Sequence, residues 1–290
     1  MPRDQHRTRT KGYGFRSRST LAKLRETNGG AERVAIQYTE DFIDRLHLVW
    51  GPGFLSPGGP EEVGEIVRGL DLAGKRVLDI GCGTGGPAIV LARDWGAQMV
   101  CLDVEPQLIA RAERNAEAAG VGDAVDCCLV DPGRLPFEAA SFDLVFSKDA
   151  LIHVPDKKAL YLEILRVLKP GGLFAASDWL AGENAMQNVA FRNYTDLGHL
   201  KFTMATAAET AGIMREAGFE AVETRDRNAW YAGVSAQEVA AIEGPLRERI
   251  IEVSSLEAYE RWSAARRALA QATAGGALRP THLRGRRPAG

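Results

Sequence analysis

Short apolar runs and amphipathic stretches alternate along the middle of the chain. KRVLDI, QMVCLD, AVDCCLV, FDLVFS and GLFAASDW are bounded by turn residues, and each predicts a buried strand. Between them PAIVLARDW, PQLIARAERNAEAA and DKKALYLEILRVL repeat their apolar residues at helical period. Strand and helix signals that alternate in this way predict parallel strands joined by crossover helices, an α/β layered domain. Lys169-Pro170-Gly171-Gly172 ends one helix and turns tightly into the next strand. After Asp178 the period loosens: residues 182–205 show no strand signal and carry Asn, His and aromatic residues. A connection that long predicts an insertion over the open end of the sheet, a lid, with an ordinary helical connection as the plainer alternative. TAAETAGIMREAGF, EAVETRD and LEAYERWSAARRALAQA then predict helix, strand and helix, and no internal repeat is visible.

The two ends read differently. Residues 1–30 are rich in Arg, Lys, Ser, Thr and Gly without a buryable face, which predicts a disordered basic tail. Residues 271–290, through ALRPTHLRGRRPAG, repeat that composition and predict a second basic tail, leaving 31–270 as a single domain. With 290 residues, 45% of them hydrophobic, and a net charge of −2, the chain buries one large core and has no global pull toward nucleic acid. No apolar run is long enough to span a membrane, and the Arg-rich start lacks the apolar stretch of a secretory signal, so a cytoplasmic location is expected. Cys82, Cys101, Cys127 and Cys128 fall on or beside predicted strands without metal-ligand spacing; reduced core thiols and no metal site are expected.

The chemistry concentrates in VLDIGCGTGG, an apolar strand that ends in Asp79 and breaks into a glycine-rich loop before a helix. Gly81, Gly83, Gly85 and Gly86 let the backbone turn sharply and approach a ligand closely. The apolar run of QMVCLDVE closes on a second acid, Asp103, about where an α/β nucleotide-binding fold places a ribose partner, and that of CLVDP closes on a third, Asp131. The pattern D-x-G-x-G-x-G resembles motif I of the class I S-adenosylmethionine-dependent methyltransferases. That resemblance implies a Rossmann-like, mostly parallel seven-stranded sheet with helices on both faces, and S-adenosyl-L-methionine as cofactor. It implies that Asp79, Gly81 and Gly83 lie near the methionine moiety, that Asp103 and Val104 meet the ribose, and that Asp131 and Pro132 meet the adenine. Gln37, Tyr38 and Ser147 complete the implied cofactor set.

A narrower resemblance rests on SKDALIHVPDK, on VWGPGFLSPGG ahead of motif I, and on Gln37-Tyr38. Together they are similar to the phosphoethanolamine (phosphobase) N-methyltransferases and, more loosely, to the glycine, sarcosine and dimethylglycine N-methyltransferases, over roughly residues 37–180. The resemblance implies that Tyr38 and His153 pair across the active site and that Asp149 meets the substrate amine. If their segment is a helical turn, Asp149 and His153 at i and i+4 share a face; otherwise His153, among Leu151, Ile152 and Val154, reads as a packing residue. Trp50, Asp149, Trp179 and His199 form the expected acceptor-binding set, and Tyr38, Trp50, Phe54 and Trp179 are expected to border the pocket or to belong to the core. Aromatic faces attract ammonium groups by about 0.5–2 kcal/mol each.

The chain departs from the phosphobase pattern at Leu200 and Phe202, where those enzymes carry basic and tyrosyl groups. A carboxylate therefore replaces phosphate in the expected acceptor, with Arg192, His199 or Lys201 as anion partners. The expected activity is methyl transfer to a small amine or amino-acid-like acceptor. Sulfur and oxygen acceptors remain open alternatives, as do an RNA methyltransferase using the basic tails and a noncatalytic cofactor-binding protein. Nucleic acid is not an expected partner, and the sequence leaves the oligomeric state open.

Overall fold

The computed structural model describes residues 37–197 and 202–290. Helices α1 (Glu40–Trp50) and α2 (Gly59–Ile66) precede β1 (Arg76–Ile80), α3 (Gly86–Trp95), β2 (Gln98–Asp103), α4 (Pro106–Ala118), β3 (Val125–Leu129) and β4 (Phe142–Lys148). Then come α5 (Lys157–Val167), β5 (Leu168–Ala181), α6 (Val189–Leu197), α7 (Ala207–Ala217) and β6 (Glu220–Asp226). The helices α8 (Asn228–Glu243), α9 (Arg247–Val253) and α10 (Leu256–Ala274) lead into β7 (Leu278–Arg286).

Among the described residues the strands form one seven-stranded sheet in the order β3-β2-β1-β4-β5-β7-β6, parallel except where β7 runs against β5 and β6. Parallel strands buried on both faces have to be apolar throughout, which is why β1 to β5 stand out as continuous runs. Successive residues serve opposite layers. Val77, Cys101 and Cys127 pack with Ile89, Leu91 and Ala112 of α3 and α4, whereas Leu78, Val100 and Cys128 pack with Leu160, Ile164 and Met214 of α5 and α7. All four cysteines are buried, as expected of core thiols.

The expected C-terminal tail is the clearest difference from sequence. Residues 278–286 are a central strand, paired with β5 from Leu173↔Arg286 to Ala181↔Leu278 and with β6 on its other edge. Leu278 and Leu283 are fully buried, and the polar residues that disguise the strand have partners. His282 lies 2.6 Å from Glu62 Oε1 through Nε2 and 2.9 Å from Arg225 through Nδ1, and Arg284 donates to the Ile66 and Arg68 carbonyls. The expected N-terminal tail, residues 1–30, lies outside the described residues.

Helices α8 to α10 thus form an insertion between β6 and β7. Their apolar faces meet α1 through Phe42, Leu46, Ile242, Ile250, Tyr259 and Trp262. A second cluster joins Phe191 of α6 to Tyr231, Leu269 and Leu278. Among its described residues the expected lid segment, 182–205, contains no strand; it holds a short turn at Ala185–Gln187 and helix α6, and it shares its core with α8 and α10.

Candidate active site

The loop after β1 is held against β2 because the Gly81 and Cys82 amides both donate to the Leu102 carbonyl at 2.9 Å. Gly81 has φ 73°, and a Cβ there would fall 2.3 Å from the Ala150 Cβ, so the loop passes the end of β4 only without a side chain. At the end of β2 the Asp103 carboxylate accepts from the amides of Gly83 at 3.0 Å, Val104 at 2.8 Å and Glu105 at 3.1 Å. Burial raises Asp103 to about 6 against the pull of these three donors. Asp79 is 1% exposed, and neither of its oxygens has a hydrogen-bond partner among the described residues. Burial, and behind it the charge of Asp103, push its carboxyl up to about 8. An orphaned buried carboxylate is costly unless a donor fills the space beside it, and the ammonium of a bound amino-acid moiety is such a donor. Buried Gln37 Oε1 also lacks a partner among the described residues. These residues fit the methionine portion of S-adenosylmethionine.

The other expected cofactor residues divide. Asp131 and Pro132 stand exposed just past β3. Ser147 is buried and its hydroxyl donates to the Ile80 carbonyl at 2.7 Å, tying β4 to β1.

Beside this loop lies a cavity of about 820 Å³ bordered by Gln37, Tyr38, Trp50, Asp149, His153 and Trp179, which brings most of the expected acceptor and catalytic residues to one chamber. Asp149 and His153 reach it by a route other than a regular helix. Asp149 sits in the left-handed region at φ 57°, and a short 3₁₀ turn, Leu151–His153, carries the imidazole. Asp178 supports that turn by accepting from the Ile152 amide at 3.0 Å. Asp149 accepts from Ser177 Oγ at 2.7 Å and from Lys148 Nζ at 2.8 Å, and Lys148 also reaches Ser56 Oγ at 2.6 Å and the Pro57 carbonyl at 2.8 Å. Burial opposes ionisation of Asp149, but the charge and hydrogen bonds of Lys148 and Ser177 outweigh it and hold the group below the ordinary carboxylate range. The Tyr38 hydroxyl lies 3.5 Å from His153 Nε2 with the rings edge-on, and burial with the charges of Asp103 and Glu105 keeps the phenol protonated. Phe202 packs on His153 with ring centroids 5.6 Å apart, and Tyr194 stacks on Phe202 at 5.5 Å.

Tyr38, Trp50 and Trp179 border the chamber and Phe54 belongs to the core, the two placements expected of them. Trp50 donates to Glu238 at 2.6 Å, and the Arg266 guanidinium lies over its ring at 5.2 Å, so the protein's own cation occupies the face expected to attract an ammonium. Trp179 meets Tyr231 edge-on at 4.8 Å, and Phe54 is a core residue packed with Ile89 and Leu91. Arg192 is exposed, donating to the Met186 carbonyl, and does not border the chamber. His199, Leu200 and Lys201 lie outside the described residues.

Two buried arginines that border the chamber escape a reading of the sequence. Arg45 lies over Phe42 and Trp262; Arg266 donates to Tyr231 and Glu238; each leaves its Nε without a partner among the described residues. Their signal is position: Arg266 continues the stripe Tyr259, Trp262, Leu269 on α10, a place where an exposed charge does not belong.

Comparison with known proteins bears on the family and the fold. Residues 78–176 match a family described as "Methyltransferase domain". Phosphoethanolamine N-methyltransferase 3 of Arabidopsis thaliana is 31% identical over 226 residues, covering 78% of this chain and 45% of that protein. The chain spans about half the length of the curated relatives it matches. Haemonchus contortus phosphoethanolamine N-methyltransferase 2, in complex with phosphomonomethylethanolamine and S-adenosylhomocysteine, superposes with a TM-score of 0.79 at 25% identity, covering 93% of this chain and 60% of that one. A putative sarcosine dimethylglycine methyltransferase from Galdieria sulphuraria shares the fold at TM-score 0.74 and 22% identity, covering 87% of this chain and 98% of that one. The chain carries a class I S-adenosylmethionine-dependent methyltransferase domain, similar in sequence and fold to the phosphoethanolamine N-methyltransferases.

Proposed function

We propose that this protein methylates the nitrogen of a small amine or amino-acid-like acceptor held in the chamber between Asp149, His153 and the helices α1 and α10. The observation that carries the reading is the grouping of an ionised carboxylate, Asp149, with the Tyr38–His153 pair at one cavity, with the loop after β1 packed against Ala150, the next residue after Asp149. When bound, S-adenosylmethionine supplies an electrophilic methyl group on a sulfonium. Asp79 would take the cofactor's ammonium, Asp103 its ribose hydroxyls and Asp131 its adenine amino group, as the resemblance in motif I implies. Transfer of this kind is an in-line displacement, so the protein contributes mainly by aligning the nucleophile and excluding water.

An amine attacks only with its lone pair free. His153 removes the proton through the Tyr38 hydroxyl, which gives its hydrogen to Nε2 as it takes one from the amine; the phenol stays neutral throughout. Asp149 stabilises the positive charge on the nitrogen, before and after transfer. Arg45 and Arg266 give the same chamber a basic wall, which supports an anionic group elsewhere on the acceptor. Phe202, packed against His153, offers no hydrogen bond at one of the places where the phosphobase resemblance implies basic or tyrosyl groups, which supports a carboxylate over a phosphate.

The test is a methyl-transfer screen over phosphoethanolamine and its monomethyl and dimethyl forms, glycine, sarcosine, dimethylglycine, methionine and other amino acids. Turnover is expected to be higher with the carboxylate amines. Preference for the phosphobases overturns the carboxylate, and activity confined to RNA, protein or lipid overturns the small acceptor.

A further inference from the structure

We propose that Glu105 is a positioning residue whose carboxylate clasps the entry segment of the chain and so sets Tyr38 beside His153. Glu105 is 4% exposed, and its two oxygens accept separately from the Gln37 amide at 3.0 Å and the Tyr38 amide at 3.2 Å. It occupies the N-cap of α4, where a side chain ordinarily satisfies its own helix. Here it makes no such bond and reaches 67 and 68 residues back along the chain instead. Gln107 completes the clasp, donating to the Tyr38 carbonyl at 3.0 Å and to Glu105. One turn further along α4, Arg111 pairs with Asp44 at 2.8 Å and with Glu40, fixing the start of α1 to the same helix.

The clasp is continuous with the proposed cofactor site. The Glu105 amide donates to Asp103 Oδ1, so the run Asp103-Val104-Glu105 offers one carboxylate to the loop after β1 and the other to the segment that carries the tyrosine. Since the Gln37 and Tyr38 backbone amides are the groups held, Glu105 acts on where Tyr38 sits and touches no reacting atom. The inference rests on the proposed pairing of Tyr38 with His153 in proton removal.

Two measurements on the full chain test it. Amide hydrogen exchange in peptides spanning Gln37 to Thr39 is expected to quicken about tenfold or more in Glu105→Ala while β1 and β2 keep their protection. Glu105→Gln, which keeps the volume and one acceptor, falls between, and it serves alone if the alanine variant does not fold. Methyl transfer is expected to slow about tenfold in Glu105→Ala, and by less than about threefold when the same change is made in Tyr38→Phe, because a residue acting through Tyr38 has little left to act on. Unchanged exchange, or an undiminished loss in the Tyr38→Phe background, overturns the proposal. The exchange measurement needs no acceptor, so a failed acceptor screen counts against the proposed function and leaves the clasp to be judged by exchange.

Discussion

Asp79 carries an unusual burden for one residue: a carboxyl raised to about 8 by burial, with both oxygens unpartnered among the described residues. Below that value the proton stays on, and a cationic ligand group must displace it. Cofactor binding is therefore expected to release a proton near pH 7 and to strengthen as pH rises from 6 toward 8. Calorimetry in buffers of different ionisation enthalpy measures both, and an affinity flat across that range would remove Asp79 from the ammonium site. His153 is tested by separating binding from chemistry. His153→Ala is expected to slow turnover about a hundredfold with S-adenosylhomocysteine affinity nearly unchanged, and full activity would return the residue to a packing role. The acids at the strand ends are legible in sequence because each closes an apolar run. Arg45 and Arg266 are not, since an arginine in a charged helix announces itself as solvated and its burial depends on aromatic partners brought from elsewhere.

At the scale of elements, β7 shows why a strand can hide. Its charged positions meet partners about two hundred residues earlier in the chain: His282 pairs with Glu62, and Arg284 bonds the end of α2. No local window contains those partners, so the composition reads as a tail, whereas β1 to β5 need nothing beyond their own apolar residues to be recognised. Glu62 is the hinge of this arrangement, bound by His282 and by Arg227 at 2.6 Å. Glu62→Ala leaves buried His282 and half-buried Arg227 uncompensated and is expected to cost about 3–5 kcal/mol, read as a lower Tm. Burial raises the Glu62 carboxyl, but its bonds to His282 and Arg227 win and the group titrates below its ordinary value. A depressed acid binds fewer protons folded than unfolded, so its contribution is whole above about 4.5 and is lost as pH falls further. The gap in Tm between parent and variant is expected to narrow in acid, and a gap independent of pH would contradict the ion pair.

The whole molecule couples catalysis to an insertion that the sequence shows only as a helical stretch. The sheet places Asp79, Asp103 and Asp149 at the ends of parallel strands, and α10, packed on α8 and α9 of the same insertion, closes the chamber with α1 and α6. Because that insertion is anchored on one side by β6 and on the other by β7, the last strand holds both the sheet and the chamber wall. Deleting residues 278–290 removes the pairing partner of β5 and of β6, exposes two rows of backbone groups, and empties the sites of Leu278 and Leu283. A disposable basic tail would leave Tm unchanged. A central strand predicts instead that the shortened chain shows no cooperative thermal transition and binds S-adenosylhomocysteine at least about tenfold more weakly, since local losses in a sheet spread through its neighbours. Circular dichroism with temperature and calorimetry of the ligand decide between them. A truncated chain that melts as sharply and as high as the parent would show that β7 adds nothing the other six strands lack.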